Sequence, residues 1–85
     1  MPTVLRIGGL RVVIYPDDHF PAHVHVLGEG EAIFTLNCPD GPPQLRESVG
    51  FKVQALARIA KELPAHLADL CAKWSEIHAL ECNDN

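Results

Sequence analysis

Apolar and polar positions alternate at a period of two between Thr3 and Asn37, and recur at a period of about 3.6 from Phe51 to Leu80. Thr3–Ile7 and Leu10–Tyr15 flank Gly8-Gly9. That predicts a hairpin with a two-residue turn, since glycine supplies the positive φ such turns need. The turn pairs Ile7 with Leu10, Leu5 with Val12 and Thr3 with Ile14. Thr3, Leu5, Ile7, Leu10, Val12 and Ile14 then form a core face, and Val4, Arg6, Arg11, Val13 and Tyr15 the other. A second hairpin is read from His23–Leu27, the turn Gly28-Glu29-Gly30, and Glu31–Asn37. A three-residue loop sets Val24 and Val26 beside Ala32, Phe34 and Leu36, with His23 and His25 on the opposite face beside Ile33 and Thr35. A two-residue loop would turn the histidines against Phe34 and Leu36. The first register is preferred, because it gives an apolar core and a mixed open face. If the four strands form one sheet, His23 and His25 share that open face with Arg6 and Arg11.

Phe51–Glu62 places Leu56, Ile59, Ala60 and Leu63 on one helical face. Pro64 then starts a new helix or kinks a long one. Ala65–Leu80 gathers Leu67, Leu70, Cys71, Trp74, Ile77 and His78 on one stripe. On that stripe Trp74 is a core residue and His78 caps the core edge. Residues 38–50, with CPDGPP, read as a proline- and glycine-rich loop. The expected fold is α+β, a single domain over 1–85: strands in 1–37, loop in 38–50, helices in 51–82. Two N-terminal hairpins make an antiparallel four-stranded sheet, followed by two C-terminal helices, or one kinked helix, packed on one face.

Composition adjusts this picture in three ways. Eighty-five residues with 47% apolar content suffice for one core and no more. The net charge of −4 argues against a general grip on nucleic acid, which needs a basic field. There is no leader-like N-terminal pattern, and no apolar run approaches the roughly 20 residues that span a bilayer. The cysteines are Cys38, Cys71 and Cys82. An odd count without C-x-x-C argues against a disulfide framework or a zinc knuckle. Cys71 then reads as a small buried hydrophobe and Cys38 as an exposed thiol. Free thiols point to a reducing compartment and a cytoplasmic protein.

The candidate chemistry lies in HFPAHVHV, which holds three of the five histidines. Residues i and i+2 on a strand point the same way, so His23 and His25 can converge. H-x-H on a strand can supply two zinc ligands at about 2.1 Å. His19 is the candidate third ligand, with Asp17 or Asp18 as a carboxylate, for zinc or another divalent transition metal. A second reading makes His23 and His25 catalytic acid–base candidates beside Arg6 and Arg11, for hydrolysis of RNA or a phosphate ester. A plainer one makes the imidazoles half-buried polar fillers of the sheet. Arg6 and Arg11, opposite each other, either form a two-arginine anion site or splay toward water or toward Asp17, Asp18 or Glu31.

The stretch PTVLRIGGLRVVIYPDDHFPAHVHV, followed by GEGEA and a late helix with a tryptophan, resembles a small bacterial family, the domain of unknown function 4160. Its motif falls on Arg6, Gly9, Arg11, His19, Pro21, His23 and His25. Ala22 stands where that family usually has a second proline, Leu10 replaces a usual aromatic, and CPDGPP is a longer insertion. The resemblance implies no established activity. It suggests one half of a toxin–antitoxin-like two-gene module, with a small protein as partner. The function expected is a non-enzymatic interaction domain whose binding face carries Arg6, Arg11, His19, His23 and His25. The alternative is a metal-assisted or histidine-based hydrolase.

Overall fold

The computed structural model describes residues 3–82, with side chains as far as His78. Five antiparallel strands form one sheet in sequence order: β1 (Thr3–Ile7), β2 (Leu10–Val13), β3 (His23–Leu27), β4 (Glu31–Thr35) and β5 (Gln44–Val49). A helical run follows without a break. It comprises α1 (Val53–Glu62), a 3-10 turn at Leu63–His66 and α2 (Leu67–Cys82). Of the two helical alternatives, one long helix is therefore found. Pro64 sits in the first turn of the 3-10 segment, where its missing N–H costs nothing, so the chain tightens instead of stopping.

The core lies between one sheet face and this helix. Val12, Ile14, Val24, Val26, Ala32, Phe34 and Leu36 meet Ile59, Leu63, Leu67, Leu70 and Trp74, all buried. Those helical positions are spaced by three and four, so a single apolar stripe runs through the proline. Ala60, expected on it, is exposed.

The three-residue loop and its register are as predicted: Val24 faces Phe34, His25 faces Ile33 and Val26 faces Ala32. In the first hairpin Ile7 pairs with Leu10, Leu5 with Val12 and Arg6 with Arg11. Thr3, however, pairs with Val13, because a bulge between Thr3 and Leu5 shifts the end of β1 by one residue. Val12 pairs with Val26 and Val13 with His25. Strand parity thus puts Arg6, Arg11, His23 and His25 on one face, opposite the one that carries Val12, Val24 and Phe34.

Two expectations are corrected. The segment read as loop 38–50 contains β5, an edge strand that is almost wholly exposed. QLRESV carries no apolar alternation because an edge strand with one free side and little buried surface needs none, and its charges discourage pairing with other chains. It closes against Gly30, where an added Cβ would lie 1.9 Å from the Val49 carbonyl oxygen. The second correction concerns the thiols. Cys38 and Cys71 form a disulfide across 33 positions, with Cα atoms 5.9 Å apart. The odd count concealed a pair joining the 37–43 loop to α2, so reading both as free thiols fails. Cys82 is a residue whose side chain lies outside the described set. No helix among the described residues is long and apolar enough to cross a membrane.

Candidate metal centre

The connection between β2 and β3 brings the candidate groups together. Tyr15-Pro16-Asp17-Asp18 is a β-turn closed by the Asp18 N–H donating to the Tyr15 carbonyl at 3.0 Å. Proline at its second position presets the backbone for such a turn. The chain then returns across the rim of the sheet and enters β3 at His23. Asp18 lies over the rings of His23 and His25, which alternation places on one face.

One carboxylate oxygen serves both rings. Asp18 Oδ2 is 3.3 Å from His23 Nε2 and 3.1 Å from His25 Nε2. Ligand atoms from the three residues all lie within 4.8 Å of one another. Their side chains are 19%, 10% and 12% exposed for Asp18, His23 and His25, so the cluster is largely shielded yet reachable from outside.

The opposite ring nitrogens are engaged. His23 Nδ1 is 2.8 Å from the Pro21 carbonyl oxygen, and His25 Nδ1 is 2.9 Å from Glu31 Oε2. Both partners accept only, so a neutral ring that donates to them carries its proton on Nδ1. In a neutral ring that leaves Nε2 as a lone pair. In that tautomer three electron-rich atoms converge: two imidazole nitrogens and a carboxylate oxygen. Lone pairs facing one another at 3.1–3.3 Å repel unless a cation lies among them. With metal–ligand bonds of about 2.1 Å, adjacent ligand atoms lie about 3.0 Å apart in an octahedron and about 3.4 Å in a tetrahedron. The two contacts to Asp18 fall in that interval. The Nδ1 bonds to a backbone carbonyl and a carboxylate are the outer interactions that orient metal-binding histidines.

The remaining predicted residues separate from this cluster. His19 is exposed and outside the three-residue group, so the ligand set read as His19, His23 and His25 is not the one brought together. Asp18, one position earlier, takes the third place because the turn directs its side chain inward. Arg6 and Arg11 face each other on the same side of the sheet, one cross-strand step further along, and make no ion pair with another described residue. Glu31, one of the partners open to the arginines, instead holds His25.

The face is not bare at this end. Val13, the cross-strand partner of His25, is fully buried, and the Tyr15 ring packs edge-on against His25 with centroids 4.8 Å apart.

From the helix side, Trp74 comes within 5.3 Å of the His23 ring. His78 stacks on Trp74 at 3.9 Å, and its Nε2 lies 3.0 Å from the Asp18 carbonyl oxygen. Sequence reasoning placed both residues on the core stripe, and both are buried there. It missed the reach of His78 to the β2–β3 connection, for which a partner sixty positions away leaves no local signal.

A family model described as a domain of unknown function (DUF4160) matches residues 9–75. The match covers most of the chain, including Asp18, His23, His25 and Glu31, and the chain belongs to that family. No curated protein and no solved structure matches it.

Proposed function

We propose that this member of the family binds a divalent transition metal through Asp18, His23 and His25. The observation that carries the reading is the convergence of two Nε2 atoms on one carboxylate oxygen, with both Nδ1 atoms beside fixed acceptors. A two-histidine, one-carboxylate set suits zinc, iron(II), cobalt(II) or manganese(II), with further positions left to water or a ligand. Two imidazolium rings sharing Asp18 would satisfy the same contacts with protons in place of a metal, and titration separates the two states. Zinc added to the protein is expected to shift the His23 and His25 ring resonances together at one equivalent, with His19 and His66 unmoved. Asp18→Ala is expected to weaken uptake by about 100-fold or more, at least the upper range for losing an outer interaction. Zinc uptake that spares these two rings, or that Asp18→Ala leaves intact, would sink the assignment.

The metal would rigidify a rim that borders the strip carrying Arg6 and Arg11. We take this combined surface as the contact for a small protein partner, in a two-gene module of toxin–antitoxin type. The two arginines, side by side on the sheet face opposite the main core and without an ion-pair partner among the described residues, support that use. The second reading is metal-assisted hydrolysis of a phosphate ester. It is favoured by the three-ligand set, which leaves a position for an activated water as catalytic zinc sites do. Its mark would be phosphodiester turnover by the zinc-loaded protein that His23→Ala abolishes without unfolding the chain.

A further inference from the structure

We infer that His78 is the positioning residue of this site: it sets the Asp18 carboxylate over His23 and His25 by gripping Asp18's own backbone carbonyl. The inference rests on the metal reading above and adds a residue from the opposite side of the sheet to it.

Asp18 is the ligand most in need of a support. His23 and His25 stand on a regular strand paired on both sides, whereas Asp18 belongs to a connection without ladder bonds. Two backbone contacts hold it. Its N–H closes the turn onto Tyr15, and its carbonyl faces His78 Nε2 at 3.0 Å. With the peptide units before and after Asp18 both tied, the direction of its Cα–Cβ bond is set. Only the side-chain torsions then separate the carboxylate from the histidine nitrogens.

His78 is itself held tightly. It is buried, its Nδ1 lies 2.9 Å from the Trp74 carbonyl oxygen one helical turn back, and its ring stacks on the Trp74 indole at an angle of 25°. Each contacted oxygen accepts only, so a neutral ring donates to one of them: the bond to Asp18 needs its proton on Nε2, and both bonds form together only in an imidazolium. The indole that supports His78 also meets the His23 ring, so one turn of α2 backs two of the three ligand residues. Loss of such supporting bonds characteristically weakens metal affinity 10- to 100-fold.

Three variants separate positioning from simple core filling. His78→Phe keeps an aromatic ring for the stack and removes the donor. His78→Gln places an amide N–H close to the position of Nε2. His78→Asn carries the same amide too short to reach Asp18. Cobalt(II) is the probe, because its visible bands report coordination geometry as well as occupancy. Each protein is titrated with cobalt(II), and the unfolding of its metal-free form is followed separately.

His78→Phe and His78→Asn are expected to bind cobalt(II) 10- to 100-fold more weakly with altered visible bands, while His78→Gln stays near wild type in both. If His78→Phe does not fold, the contrast between Asn and Gln carries the test. Equal affinity and identical bands in all folded variants would overturn the positioning role, as would losses that merely track stability whether or not the donor is restored. Failure of the wild-type protein itself to take up cobalt(II) or zinc would instead overturn the metal reading on which this one rests.

Discussion

The two ends of the sheet present opposite kinds of opportunity. At the end formed by the Gly8-Gly9 turn and the start of α1 lies a cleft of about 510 Å³, lined by Ile7, Leu10, Phe51 and Arg58 among others. Its charged groups, Glu29, Arg58 and Glu62, make no ion pair with one another. At the other end there is little space, but two histidine nitrogens lie 3.1 and 3.3 Å from one Asp18 oxygen, and each ring is held by a second bond. A binding site ordinarily combines a cavity with converging polar groups. Here the two are separated by the length of the strands. The difference teaches that room alone does not mark the chemistry of this fold, because a metal needs a few directed lone pairs and almost no volume.

Truncating Trp74 would break the comparison most severely. The residue is 2% exposed and packs against core, His23 and His78 together. Its Nε1 has no partner among the described residues, so truncation forfeits packing and stacking without breaking a hydrogen bond of its own. Trp74→Ala is expected to cost about 3–5 kcal/mol in denaturant unfolding, a large share of what so small a domain has. Metal uptake should fall with it, since both rings leaning on the indole lose their support. Full zinc affinity in a folded Trp74→Ala protein would mean that the rim is assembled by the strands alone.

Reducing the disulfide sharpens the same contrast from outside the core. Cys71 lies on the stripe that continues to Trp74 and His78, and Cys38 follows Leu36, whose N–H donates to the Ala22 carbonyl just before His23. The bridge therefore ties both flanks of the rim and neither flank of the cleft. By chain entropy, a closed loop of this length stabilises by about 3–4 kcal/mol. Dithiothreitol, or Cys71→Ser, is expected to lower the unfolding free energy by up to that amount and to loosen the rim first. The readout is hydrogen exchange, with faster exchange at residues 18–23 than at the Gly8-Gly9 turn. Uniform loosening would mean that the bridge supports the domain as a whole.

What could be read in advance depended on how local the deciding interactions are. The face of His23 and His25 was legible because strand parity and a three-residue turn settle it within a few residues. The helical stripe was legible for the same reason, and it survived the proline. Asp18 was half-legible: the sequence offers two neighbouring aspartates, but the turn that brings Asp18 to the two rings depends on backbone directions a linear pattern does not show. The β5 strand was hidden because exposed edges leave no hydrophobic signature. The Cys38–Cys71 pair and the His78–Asp18 bond were hidden for another reason. Each joins segments that only the packed helix brings together, across 33 and 60 positions.

The smallest expected effect is also the control for the whole comparison. Arg58 is exposed on α1 and lines the cleft, making no ion pair with another described residue. Arg58→Ala is expected to change unfolding free energy by no more than about 0.5 kcal/mol, the usual range for a surface position without a special role. Zinc affinity should be unchanged, because nothing at the cleft end supports Asp18, His23 or His25. The measurement is a paired denaturant melt and zinc titration against wild type. A loss of metal affinity in this variant would show the two ends to be coupled through the helix, since α1 and α2 form one continuous run. Unchanged affinity, set beside the losses in Trp74→Ala and His78→Phe, would confine the site's support to the half of the helix that follows Pro64.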